Sequence, residues 1–292
     1  MLFRRNFDKP GPGVEMRDPN QSRISVFFEL LFRKLWRLCK VNMLYLITSL
    51  PTFIITMLIM GFFSAQITNA AAPLIAEMMG FTEGNMADPE FSSQMLLMDA
   101  IIKLICSFMF LVFIGQGPAT AGMTYILKCY AKEQHAWLIS DWWQYAKANF
   151  RQSLIVWAID LVAVFIFITA IRVYMTFGGP MILASCIVSF MLLSFVLMHF
   201  YIYQMIITFD NSIKNIYKNA FILAIQKLPR NLLMLLIMIV IHIGIPYIGL
   251  ALGFRLGFWI LFILLELTIL PSITGFMNNF FVYSQLEEFT DK

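Results

Sequence analysis

The stretch SVFFELLFRKLWRLCKVNMLYLITSLPTFIITMLIMGFFSA, residues 25–65, decides how the chain is read. Its first part is basic and aromatic. Phe28, Leu31, Leu35 and Leu38 recur at helical spacing, with Arg33, Lys34, Arg37 and Lys40 on other faces. Such a segment predicts a helix lying in a membrane surface, its apolar side toward the acyl chains and its cations toward phosphates. Trp36 sits in it as an interfacial anchor. After Val41 and Asn42, residues 43–65 carry no charge. At about 1.5 Å per residue this run crosses a hydrocarbon core of about 30 Å with modest tilt.

The unit of surface helix followed by spanning helix recurs. SDWWQYAKANFRQ, residues 140–152, leads into an apolar run, and DNSIKNIYKNAFILAIQKLPRN, residues 210–231, leads into another. In the first, Ser140 or Asp141 suits an N-cap, Trp143, Ala146 and Phe150 share a face, and Trp142 and Trp143 suit the headgroup zone. In the second, Ile213, Ile216, Ala220 and Leu223 follow helical spacing. Each joint (Lys40 to Asn42, Ala148 to Arg151, Pro229 to Asn231) places a cation and an asparagine where the chain is expected to turn into the bilayer. Three similar hairpins are the expectation.

Hydrophobic residues make up 60% of the chain and charged ones 13%, against about half and a quarter in soluble domains. Six apolar runs, at about 43–65, 101–123, 153–173, 181–203, 232–253 and 256–277, use most of the length. The fold class is therefore all-α, a polytopic membrane helix bundle with amphipathic cytoplasmic surface helices. A single integral membrane domain, 25–285, is expected between a mobile cytoplasmic tail, 1–24, and an acidic tail, 286–292. The first residues lack the apolar core of a signal peptide.

Charge sets the expected orientation. Of 21 Lys and Arg, nine precede residue 43, four lie between the second and third runs, four between the fourth and fifth, and one ends the chain. The stretch 66–100 carries Glu77, Glu83, Asp88, Glu90 and Asp99 and no Lys or Arg. The positive-inside rule places both termini on the cytoplasmic side of a plasma membrane and this acidic loop outside, with a short helix around Pro73–Met79. The carboxylates could form a cation-attracting mouth, though a solvated loop obeying the charge rule explains them better.

Charges inside the bilayer cost roughly 2.5–3.5 kcal/mol each and need a reason. Asp160 and His199 fall in the inner half of their runs, and His242 and Glu266 near the middle. Two carboxylate–imidazole pairs would lower that cost and could relay protons. Orienting helix packing is the plainer role. Gln116, Gly117 and Pro118 break the second run, because proline removes a donor and the freed carbonyls need partners. Thr120 and Thr124 could supply hydroxyls, and Gly117, Ala119, Ala121 and Gly122 allow close packing. Pro118 to Gly122 and Pro271 to Gly275 share a PxxxG spacing.

Cys39, Cys106, Cys129 and Cys186 have no ligand spacing, and no nucleotide, hydrolase or zinc motif is present. No enzyme activity, cofactor, metal or nucleic acid is expected, and the lipid bilayer is the expected partner.

GPATAGMTYILKCYAKEQ (117–134) followed by SDWWQYAKANFRQ resembles the shared core of the bacterial YesL-type membrane proteins: Gly-Pro-Ala-Thr-Ala in a membrane helix, a basic stretch, an aromatic cytoplasmic helix, and an Asn-Phe-Arg-Gln joint. Phe27 to Pro51 matches as well. The family has no defined biochemical activity, and its genes often sit beside carbohydrate ABC-transporter components. The resemblance implies an accessory role in sugar uptake, with ABC-transporter subunits as partners. The competing expectation is a small-solute carrier whose path passes Gln116, Pro118, His242 and Glu266.

Overall fold

The computed structural model describes residues 21–79, 89–253 and 256–290, and every regular element among them is a helix. The first helix, α1 (Arg23–Met79), has 57 residues and is about 85 Å long. It runs straight through Lys40 to Asn42, where a turn was expected. Asn42 is fully buried and its amide serves a neighbouring helix rather than its own backbone: Nδ2 donates to the Leu267 carbonyl at 2.9 Å, and Oδ1 accepts from Ser272 Oγ at 3.3 Å. The expected surface helix is thus the first part of α1. Its buried face is Val26, Phe27, Leu30, Leu31 and Leu38, while Phe28 and Leu35 point outward. Phe27 packs among Phe276, Phe280 and Phe281, so protein covers this face in place of lipid.

The second helix, α2 (Pro89–Phe113), returns alongside α1, with Lys103 over Gly61 and Leu111 beside Tyr45. Most of the expected loop is therefore helix, and the short helix expected at Pro73–Met79 is the end of α1. Glu83 and Asp88 lie outside the described residues, as do the side chains of Glu77 and Glu90. Asp99 sits 3.7 Å from Lys103.

The expected span at 101–123 is two helices. After α2, residues 114–117 leave the helix, and α3 (Pro118–Ala131) begins with Pro118 in its first turn. Proline is tolerated there because that N–H has no intrahelical acceptor anyway. Next come α4 (Leu138–Ala148) and α5 (Phe150–Phe177), which share Asn149 as C-cap and N-cap. A Gly178-Gly179 turn, φ +62° and +54°, leads to α6 (Met181–Thr208). Ser212 Oγ accepts from the Asn215 N–H to start α7 (Ile213–Gln226). α8 (Leu228–Ile239) passes through a π turn, Val240–Gly244, into α9 (Ile245–Ala251). α10 (Leu256–Thr268) and α11 (Leu270–Thr290) meet at a bend of 49°.

Five helical stretches are long and apolar enough to cross a membrane: Arg23–Ala65, Phe91–Phe113, Phe150–Phe177, Met181–Thr208 and Leu228–Gly249. The bent pair α10–α11 makes a sixth. Large apolar side chains such as Ile47, Leu58, Phe62, Ile166, Leu183 and Phe190 face outward. A surface of that kind suits lipid, not water. The chain is an integral membrane protein built as a polytopic all-α bundle.

The core centres on α3, which touches α1, α4, α6 and α11. Trp142, expected in the headgroup zone, is fully buried in this core. It fits because Gly122 presents no side chain: a Cβ there would lie 2.9 Å from the indole. Trp36 and Trp143 are exposed, as an anchor requires. The expected acidic tail begins as helix, since α11 runs to Thr290 with Leu286 buried. Four cations at this end of the bundle serve α11. Arg23 and Arg230 donate to the carbonyls of Phe280 and Phe281, and Lys128 and Lys132 lie 4.5 and 4.2 Å from the centre of the Tyr283 ring.

Candidate functional site

The break between α2 and α3 is held by hydroxyls. Gly115, φ +109°, and Gly117, φ +61°, take backbone angles that other residues avoid. The Phe110 carbonyl accepts from the N–H groups of Ile114 and Gly115, at 2.9 and 3.0 Å. Tyr45 Oη donates to the Leu111 carbonyl at 3.2 Å. The Gln116 N–H donates to Thr120 Oγ1 at 2.6 Å, and the Gly117 N–H to Tyr203 Oη at 3.2 Å. In lipid every freed backbone group needs such a partner. Thr120 thus serves the break, while Thr124 bonds back to its own helix at the Thr120 carbonyl.

The second break, α10 to α11, carries the other PxxxG element. Gly275 packs on α3, where an added Cβ would meet Leu127 at 2.9 Å and Met123 at 3.0 Å. Between the breaks lies a cavity of about 80 Å³, lined from one side by Leu111 to Gly115 and from the other by Pro271, Thr274 and Gly275. His199, Tyr203, Gln204, Asn278 and Asn279 add polar groups. Both amide atoms of Gln204 and the Oδ1 atoms of Asn278 and Asn279 are buried without a protein partner. Buried polar atoms of this kind call for water or a ligand.

Both expected carboxylate–imidazole pairs form. His242, in the π turn, has Nδ1 at 2.8 and 3.0 Å from the two Glu266 oxygens and Nε2 at 3.3 Å from Thr274 Oγ1. With its own proton donated to the Leu270 and Pro271 carbonyls, Thr274 Oγ1 is free to accept from an Nε2–H. His199 repeats the logic. Its Nδ1 faces the Phe195 carbonyl at 2.8 Å and so carries a hydrogen, while Nε2 lies 3.1 Å from Asp160 Oδ2, off the hydrogen-bond line. Tyr217 Oη donates to Asp160 Oδ1. Each pair sets a carboxylate beside an imidazole, which lowers the cost of burying either group alone in lipid.

His199 lines the cavity directly, and the His242–Glu266 pair reaches it through Thr274. Gln116, His242 and Glu266 are not among its lining residues. Gln116 is fully buried with both amide atoms unpartnered. Gln204, Asn278, Asn279, Tyr203 and Tyr217 escaped the sequence reading. Gln204, Asn278 and Asn279 fall just past the expected run ends, where polar residues read as interfacial, and tyrosines read as aromatic packing. Among the described residues no cluster of His, Cys, Asp or Glu is suited to a metal ion.

No curated protein and no solved structure matches the chain. Residues 96–171, which span most of α2, the break, α3, α4 and most of α5, match the family model described as "Protein of unknown function, DUF624".

Proposed function

We propose that this protein is an accessory component of a carbohydrate-uptake system of the ABC type, acting by contact with the transporter's membrane subunits. The likeness of residues 117–134 and 140–152 to YesL-type proteins supports that reading, and cavity size favours it over solute passage. A volume of about 80 Å³ is several-fold below the roughly 300–1,000 Å³ of small-molecule sites. A carrier path past Gln116, His242 and Glu266 would also need them around the cavity, and none of the three lines it. The test is affinity purification of the tagged chain from its native membrane in mild detergent. Co-purification of transporter subunits in fixed ratio is expected. Isolation of the chain alone, together with sugar uptake by the pure protein in liposomes, overturns the reading.

The carrier reading keeps one observation in its favour. The cavity lies where two interrupted helices meet, and many transporters bind substrate at such interruptions. Uptake by the pure protein that stops on Gln204→Leu would establish it.

A further inference from the structure

We propose that the cavity is a proton half-path, joining the His242–Glu266 pair deep in the bundle to the Asp160–His199 pair and, through Tyr217, to the end of the bundle that carries α4 and α7. This goes beyond the accessory reading and does not depend on it.

The two pairs lie at different depths. Counted from the helix ends nearest α4 and α7, Asp160 is about 15 Å along α5 and His199 about 14 Å along α6, whereas His242 is about 21 Å from the start of α8. The cavity spans the step. On its deep side is Thr274, whose Oγ1 faces His242 Nε2, and on its shallow side is His199. Asn278, one turn along α11 from Thr274, donates to the Phe200 carbonyl at 3.2 Å and so fixes α11 beside His199. At about 30 Å³ per water, the cavity holds a short water file. Both amide atoms of Gln204 and the Oδ1 atoms of Asn278 and Asn279, none with a protein partner, supply the hydrogen bonds such waters need.

The transfer balances. With one proton shared between Nδ1 and Glu266, Thr274 turns its hydroxyl from the Leu270 and Pro271 carbonyls, gives that proton to a cavity water and accepts one from His242 Nε2, and the shared proton settles on Nδ1. The imidazole stays neutral and the carboxylate becomes ionised. Each water takes one proton and gives one. His199 Nε2, without an aligned partner, accepts the last of them, and the Asp160 pair then holds one proton in excess. His199 then gives a proton to Asp160, and the Tyr217 hydroxyl turns from Oδ1, gives its own proton outward and accepts one from Asp160. Tyr217 is partly buried on α7, between the exposed Lys214 and Lys218, at the basic end of the bundle.

The test uses the full chain in lipid nanodiscs with ¹⁵N-labelled histidine, reading exchange of imidazole protons with solvent deuterons by NMR. In the wild type both His199 and His242 exchange. Thr274→Val slows His242 at least tenfold and leaves His199 unchanged, while Thr274→Ser, which keeps the hydroxyl, exchanges as the wild type does. Tyr217→Phe slows both. A His242 rate unaffected by Thr274→Val, equal slowing in Thr274→Ser, or unchanged rates in Tyr217→Phe overturns the path. If Thr274→Val fails to fold, the Ser and Tyr217 variants still decide.

Discussion

The indole of Trp142 occupies the space that a side chain at position 122 would need, with Cδ1 and Nε1 both 2.9 Å from where a Gly122 Cβ would stand. Trp142 is fully buried, so it cannot swing aside. This contact fixes α4 on α3 and decides that α4 belongs to the bundle.

Gly122→Ala should therefore destabilise the protein by about 1–3 kcal/mol, the usual cost of overpacking. Thermal unfolding of the detergent-purified chain measures it. Gly257→Ala is the control, since nothing lies within 4 Å of that position, and its melting temperature should stay within error of the wild type.

Asn42 joins α1 to the α10–α11 bend by donating to the Leu267 carbonyl. Asn42→Leu should cost about 1–3 kcal/mol, because that carbonyl and Ser272 Oγ lose a partner in a dry interior. A double-mutant cycle with Ser272→Ala should show coupling. Simple additivity would mean that the two side chains act independently.

The His242–Glu266 pair is balanced only while both members are present. Glu266→Leu alone should destabilise by about 3–5 kcal/mol. Glu266→Leu with His242→Leu should recover most of that loss. Chemical denaturation in mixed micelles separates the two cases, and a double variant as unstable as the single one would contradict the pairing.

Trp36 and Trp143 face outward and Trp142 does not. In variants that each retain one of these tryptophans, a quencher attached near the lipid headgroups should reduce the fluorescence of Trp36 and Trp143 and spare Trp142. Equal quenching of all three would remove Trp142 from the core.

Membership of the membrane class was legible from charge-free runs such as 43–65, because a stretch of that length and composition has one stable environment. Both histidine pairs were legible too. An ionisable group in an apolar run must find a partner, and few candidates exist. The bordering polar residues were harder to see. Gln204 and Asn278 look interfacial in sequence and become cavity-lining only because α6 and α11 cross beside the α2–α3 break. The joint asparagines were noticed for the wrong reason. Asn149 does stand at a turn, where it caps two helices. Asn231 satisfies the Ala224 carbonyl at the end of α7, and Asn42 does the same for a helix more than two hundred residues away.

The sequence by itself determined the solvent of this protein and the chemistry it must balance there, since both follow from local composition and from the cost of placing charge in lipid. Tertiary structure alone decided which faces are protein-covered, that residues 25–65 lie in one unbroken helix, and that two interrupted spans meet around a polar cavity. Those outcomes depend on partners in other helices, such as Gly122 for Trp142 and Leu267 for Asn42, and a half-turn of a helix about its axis exchanges its buried and exposed faces without altering its composition.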